Sequence, residues 1–251
     1  MKLELENKVV LITGATGAIG RQIVKDFLAE GASVTCLIRD QAKAEALKAE
    51  VVGEGISTAM LWFEPCDLLD YASICGAVSA TLQNQKKIDV LVNCAGVTSE
   101  QPFALMADDE ISSIIDVNMK SPMWVSQAVL KGMFAQNSGC IINISSASTV
   151  KKGRGIVAYA SAKAGLETFT RALAQEVGRK NIRVNCIRPG IIETGMSSAV
   201  IFRNSDFIKN QTSLGRVGLP KEISSAVLFV ASAKTASYLT GECITIDGGM
   251  Y

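Results

Sequence analysis

Apolar residues along the chain fall into two alternating patterns. Short unbroken runs such as Val9-Val10-Leu11-Ile12 are followed by longer stretches in which apolar positions recur every three or four residues. Ile19, Ile23 and Phe27 recur in this way, with Val24 and Leu28 beside them. The first pattern suits a strand buried on both faces, the second a helix with one face on the core. Strands are predicted at 9–12, 34–38, 58–63, 88–92, 140–144, 182–186 and 243–246. Helices are predicted from Ile19 to Gly31, where the glycine closes the helix, and at 41–48, 71–83, 108–133, 157–177 and 221–231. Such alternation builds βαβ units, hence an α/β fold: a doubly wound parallel sheet with helices on both faces. Only the segment at about 195–218 departs from it, with Met196, Val200, Ile201, Phe202, Phe207 and Ile208 set among polar residues. A long insertion this late in such a domain is expected to be a substrate lid.

The chain has 251 residues, 48% of them hydrophobic and 20% charged, enough for one domain with a large core. Its net charge of +1, from 25 basic and 24 acidic residues, gives no overall field to attract nucleic acid or a membrane surface. The first residues mix both charge signs and lead into only four apolar ones, and no run has the length of a membrane span, so a cytoplasmic protein is expected. Seven scattered cysteines, none in a C-x-x-C pair, fit reduced thiols packed as small hydrophobes. The sequence contains no histidine. That removes Ser-His-Asp hydrolysis, Cys-His catalysis and His-ligated zinc, and no metal site is expected. Acid–base chemistry is left to Tyr, Lys, Asp, Glu or Cys.

The first strand runs directly into Thr13-Gly14-Ala15-Thr16-Gly17-Ala18-Ile19-Gly20. A glycine turn between a strand and a helix lets backbone approach a pyrophosphate, which the helix N-terminus then attracts. Further on come Asn93-Cys94-Ala95-Gly96, Ser146, Tyr159-Ala160-Ser161-Ala162-Lys163 and Pro189-Gly190. In this order and spacing they resemble the short-chain dehydrogenase/reductase family over almost the whole chain. The stretch from Leu214 to Pro220 and the ending Thr240-Gly241 to Asp247-Gly248-Gly249 are similar to it as well. The resemblance implies a Rossmann-type single domain over residues 1–251. It also implies an oxidoreductase that moves a hydride between a nicotinamide and a carbonyl or secondary alcohol.

Tyr159 and Lys163 are four apart on a predicted helix and so share a face. A nearby ammonium favours phenolate and is expected to lower the tyrosine's pKa from about 10 toward working pH. The family's roles imply that Tyr159 gives a proton to the carbonyl oxygen and that Lys163 lowers its pKa and holds the nicotinamide ribose. Ser146, rather than Ser145, would bond the substrate oxygen, and Asn118 would hold a water linking Lys163 to solvent. Gly14, Thr16, Gly17, Ala18, Ile19 and Gly20 would meet the phosphates. Asp67 and Leu68 would meet the adenine, Asn93, Ala95 and Gly96 would flank the adenosine, and Pro189, Gly190, Ile192 and Thr194 would meet the nicotinamide half and the pyrophosphate. Two departures stand out: Ala18 occupies the place of the usual middle glycine, and Cys94 replaces a common asparagine.

Where relatives that prefer NAD place an acidic residue at the end of the second strand, this chain has Ile38 followed by Arg39. An arginine there suits a 2′-phosphate, so NADP(H) is favoured over NAD(H), with Asp40 as a counter-influence. The resemblance is strongest to 3-oxoacyl-acyl-carrier-protein reductases, with sugar-acid and small-alcohol dehydrogenases as the alternative. The partner would then be a small carbonyl or alcohol, or a carrier-bound acyl chain. Lys151, Lys152 and Arg154 would offer positive charge to an anionic substrate or carrier. The family also implies a homotetramer. The competing class is a non-catalytic dinucleotide-binding regulator on the same fold. A hydrolase using Ser146 fails for want of histidine and of a G-x-S-x-G motif.

Overall fold

The computed structural model describes residues 2–151, 153–195 and 210–250. Most of the segment expected to be a lid (Met196, Val200, Ile201, Phe202, Phe207 and Ile208 among it), together with Lys152, lies outside the described residues. The described strands are β1 (Val9–Thr13), β2 (Ser33–Ile38), β3 (Leu61–Pro65), β4 (Val90–Asn93), β5 (Gly139–Ile144), β6 (Ile182–Pro189) and β7 (Cys243–Ile246). They form one all-parallel, seven-stranded sheet in the order β3-β2-β1-β4-β5-β6-β7. The order reverses between β1 and β4, and ligands of open parallel sheets bind outside the carboxyl ends of the strands at such a point.

Helices cover both faces: α1 (Ala18–Ala29), α2 (Gln41–Gly53), α3 (Tyr71–Gln85), α4 (Asp108–Ile115), α5 (Ser121–Gln136), α6 (Val157–Val177), α7 (Pro220–Ala231) and the short α8 (Ala233–Ala236). The strand side chains alternate between two cores, as a period of two demands. Val10, Ile12, Val90, Val92 and Ile142 pack with Phe27, Ile23 and Val227 on one side. Leu11, Leu91 and Ile141 pack with Ile74, Val125, Met133 and Val177 on the other.

Several boundaries differ from the sequence expectation: the second helix runs on to Gly53 rather than ending at Lys48, the fourth strand starts at Val90 rather than Ile88, and three further differences have a local cause. The third strand begins at Leu61, not Thr58, because the Leu61 N–H bonds back to the Thr58 carbonyl and closes a turn. The sixth runs on to Pro189, since β5 pairs with it as far as Ile187 and β7 pairs with it from Cys186 to Pro189. The helix expected over 108–133 is interrupted by a π-helical turn at Asp116–Lys120. Pro122 explains the interruption. It has no N–H to give to a carbonyl of the preceding turn. The Ser121 N–H reaches back to the Asp116 carbonyl instead, and the Ser121 hydroxyl donates to the Val117 carbonyl at 3.0 Å. The π turn carries Asn118 inward to complete burial.

Candidate active site

A cleft of about 1120 Å³ opens at the carboxyl ends of the strands, across the switch point. Its floor begins at the glycine turn. Thr13 Oγ1 accepts from the Cys94 and Ala95 N–H groups at 3.1 and 3.2 Å, which draws the β4 exit against the β1 exit. Gly14 has φ +67°, and a Cβ there would stand 2.6 Å from the Ala95 backbone. A Cβ at Gly20 would stand 2.1 Å from the Gly14 carbonyl oxygen. Both glycines are therefore required by close backbone approach. Ala18 fits without strain because it is the first residue of α1, with Gly17 extended before it as the cap. Gly17 makes no side-chain cap, so α1 presents its first-turn N–H groups toward the cleft, a cradle for an anionic group. The protein thus has a built site that fits a dinucleotide.

Gly14, Thr16, Gly17, Ala18, Ile19, Gly20, Arg39, Asp67, Leu68, Ala95, Gly96, Pro189, Gly190, Ile192 and Thr194 all line this cleft. Asn93 does not. Its side chain is buried and donates to Asn143 Oδ1 at 2.9 Å and Ser126 Oγ at 3.2 Å. Strand alternation is the reason: Asn93 points into the α5 layer, and Cys94, its neighbour, faces the cleft. Arg39 is exposed on the wall formed by Leu37 and Ile38. Asp40 is occupied elsewhere, capping α2 by accepting the Lys43 N–H at 3.2 Å. Arg21, the first cation on α1, is paired to Glu50 at 2.7 Å.

At the other end of the cleft, Ser146 leaves β5 and caps a short 3₁₀ turn, its Oγ accepting the Ser148 N–H at 3.2 Å. Ser145 is buried, with its hydroxyl given to Glu167 at 2.9 Å. Tyr159 and Lys163 stand one turn apart on α6, the Lys163 Nζ 5.9 Å from the Tyr159 ring centre. Lys163 is 3% exposed and donates to the Ile144 carbonyl at 2.8 Å. Asn118 donates to the Val97 and Ile114 carbonyls, each at 2.8 Å. Its Oδ1 is buried without a partner among the described residues. A Cβ on Gly96 would stand 2.9 Å from that oxygen and 3.5 Å from Lys163 Nζ, so all three converge on one corner of the cleft.

The electrostatics differ from expectation in one respect. Burial pushes the Tyr159 phenol above its ordinary value, and only a hydrogen bond with Ser146 pulls the other way. Lys163 does not supply the expected lowering, because burial brings its own pKa down to about 8, from 10.5. Cys94 beside it is a neutral thiol, pushed to about 11 by burial. Below pH 8 the buried Lys163 ammonium carries its full desolvation cost. Between about 8 and 10.5 the unfolded chain binds more protons than the native one, so this group makes unfolding free energy rise with pH. Relative to a Lys163→Met variant, the wild-type protein is expected to gain up to about 3 kcal/mol across that window, read from denaturant midpoints. A flat difference would show that Lys163 titrates normally.

Sequence reasoning missed the buried Glu167 and its half-buried partner Arg188, a pair tied to the Ser146 turn. The available signal was a carboxylate on the helix face that also carries Lys163, Leu166 and Thr170. Lys151 and Arg154 line the mouth of the cleft, as does Glu100.

The short chain dehydrogenase family model matches residues 8–203. The chain is 40% identical to the 3-oxoacyl-[acyl-carrier-protein] reductase FabG of Chlamydia trachomatis serovar D, over 98% of each chain. It is 36% identical to an acetoacetyl-CoA reductase of an Acinetobacter species, again over 98% of each. Among solved structures, a short-chain dehydrogenase/reductase from Brucella melitensis, described as a glucose/ribitol dehydrogenase, superposes with a TM-score of 0.92. It is 31% identical, with 100% of this chain and 99% of that one covered.

Proposed function

The chain belongs to the short-chain dehydrogenase/reductase family of NAD(P)(H)-dependent oxidoreductases, and from that premise we propose that it reduces 3-oxoacyl thioesters with NADPH. The observation that carries the reading is the convergence of Ser146, Tyr159 and Lys163 on a large cleft whose mouth holds Lys151 and Arg154. Neither cation has a carboxylate partner among the described residues. They suit the phosphates of a carrier-linked or coenzyme-linked acyl chain.

In this reading the nicotinamide, when bound, supplies the hydride that the carbonyl carbon receives. Ser146 donates its hydroxyl to the substrate oxygen and orients it toward Tyr159. Tyr159, kept protonated by burial, transfers its proton to that oxygen as charge develops on it. Lys163 holds the ribose hydroxyls, with Asn118 Oδ1 positioned to relay solvent protons back to the phenolate left behind. Gly14 to Gly20 and the α1 N-terminus hold the pyrophosphate, Arg39 the 2′-phosphate, Asp67 and Leu68 the adenine. Ala95 and Gly96 flank the adenosine, and Pro189, Gly190, Ile192 and Thr194 hold the nicotinamide half.

A panel of acetoacetyl-CoA, the matching N-acetylcysteamine thioester, keto acids and polyols with both cofactors tests the proposal. The thioesters are expected to show the highest kcat/KM. The double variant Lys151→Ala/Arg154→Ala is expected to raise KM for the CoA ester roughly two- to tenfold. KM for the uncharged N-acetylcysteamine ester should not move. Better turnover of a polyol or keto acid would favour the sugar-acid or small-alcohol reading, which the likeness to the Brucella melitensis protein supports. No turnover at all would favour a dinucleotide-binding regulator. The protein is further proposed to be a cytoplasmic homotetramer. Ile115, Met123, Phe134 and Val157 leave apolar surface exposed on the α4–α6 side. No helix among the described residues is long and apolar enough to cross a membrane. Light scattering at micromolar concentration should give a tetramer mass.

A further inference from the structure

We infer that Glu167 and Arg188 are positioning residues, whose ion pair holds Ser146 in line with Tyr159. Glu167 lies one turn beyond Lys163 on α6 and is 4% exposed. Its Oε1 accepts from Ser145 Oγ at 2.9 Å, Thr149 Oγ1 at 2.7 Å and Arg188 Nε at 2.7 Å, while Oε2 accepts from Arg188 Nη2. Arg171, more exposed, approaches Oε2 at 3.8 Å. Ser145 and Thr149 bracket Ser146 in the chain, and the Thr149 hydroxyl also lies 3.0 Å from the Ser146 carbonyl. Arg188 immediately precedes the Pro189-Gly190 wall of the cleft.

One carboxylate therefore ties together three segments that meet only at the site: the helix carrying Tyr159 and Lys163, the turn carrying Ser146, and the end of β6. A buried ion pair is a poor source of net stability, because desolvating both charges offsets most of their attraction. Its distinctive property is direction. A bidentate guanidinium and two hydroxyls fix the carboxylate in one orientation, and the carboxylate fixes the hydroxyls. The burial that would otherwise raise the Glu167 pKa is outweighed by the bonds from Arg188, Thr149 and Ser145, so the carboxylate stays ionised. Proton transfer through Ser146 and Tyr159 tolerates displacements of only about half an ångström, and this clamp supplies that tolerance.

The inference rests on the reading of Ser146 and Tyr159 as the reacting pair, and a kinetic double-mutant cycle separates the two. The variants are Ser146→Ala, Glu167→Gln and their combination. The readouts are kcat, KM with acetoacetyl-CoA and NADPH, and NADPH affinity by fluorescence. Ser146→Ala is expected to lower kcat about 10²-fold in the wild-type background, as for loss of an oxyanion donor. Glu167→Gln is expected to lower kcat at least about tenfold with NADPH affinity unchanged within about twofold, and to reduce the further loss from Ser146→Ala to under about tenfold. Thr149→Val strands no charge and is expected to show the same non-additivity with a smaller loss, so it serves if Glu167→Gln does not fold. If Ser146→Ala costs as much in the Glu167→Gln and Thr149→Val backgrounds as in wild type, the pair is structural only and the inference is overturned. If Ser146→Ala is silent in wild type, the reading of the site fails and the inference fails with it.

Discussion

Replacing Tyr159 with Phe is expected to lower kcat by about 10²- to 10⁴-fold while NADPH binds within about twofold of its wild-type affinity. The variant removes one oxygen and keeps the ring. The ring is the part of Tyr159 that packs beside Ile114 and Ala158, so the local fold should persist. What is lost is the proton that must reach the substrate oxygen as hydride arrives at carbon. Ser146 remains and can still donate a hydrogen bond, which accounts for a residual rate. No other described group in that corner can replace the phenol. The Cys94 thiol has its pKa pushed up to about 11 by burial, and the Lys163 ammonium, one N–H of which goes to the Ile144 carbonyl, is assigned to the ribose hydroxyls. KM for substrate should change less than kcat, because the proton moves only in the transition state. Steady-state kinetics with a fluorescence titration of NADPH check the result. A kcat within about tenfold of wild type would contradict the role of Tyr159 as proton donor.

Arg39→Ala is expected to remove most of a preference for NADPH over NADH. Hydrogen bonds to a charged group contribute about 1.5–3 kcal/mol, equivalent to one to two powers of ten in kcat/KM. The structure favours this more than the sequence does. Asp40, the residue that would repel a 2′-phosphate, has its carboxylate drawn into the α2 cap and toward Lys43. Arg39 itself is exposed on the cleft wall, and Arg21 and Lys25 on α1 are held by Glu50. The loss should fall on NADPH and leave NADH kinetics nearly unchanged. A wild-type preference for NADH, or a ratio that survives the substitution, would refute the assignment of the 2′-phosphate to Arg39. The chemistry assigned to Tyr159 and Lys163 would be untouched by either result.

How far each feature was legible depended on how local its cause is. The alternation of apolar runs and helical repeats was enough for the parallel α/β sheet, because burial on two faces imposes that pattern on each strand separately. The helix over Val157–Val177 was legible to both ends, and with it the shared face of Tyr159 and Lys163. Gly14 and Gly20 were legible as a motif, although what makes them obligatory is backbone contact with Ala95 and within the turn itself. The start of β3 was misplaced because a single turn bond from Leu61 to Thr58 leaves little trace in hydropathy. The π turn follows from Pro122, a local signal that apolar periodicity passes over.

The rest was decided by tertiary structure. Asn93 and Cys94 are adjacent in one motif, and only the direction of β4 against β1 and β5 sends one into the core and the other into the cleft. The pKa of Lys163 depends on how deeply α6 is buried, which no spacing encodes, and burial lowers it to about 8. Glu167 meets Ser145 and Arg188 because β5, α6 and β6 are successive in the sheet's winding, so groups about twenty residues apart share one carboxylate. The sequence by itself determined which residue types are present and which face of its own element each occupies, since period and backbone sterics act within a few residues. Which faces meet, how dry the meeting place is, and therefore which charges persist there were decided only when the whole sheet closed around the site.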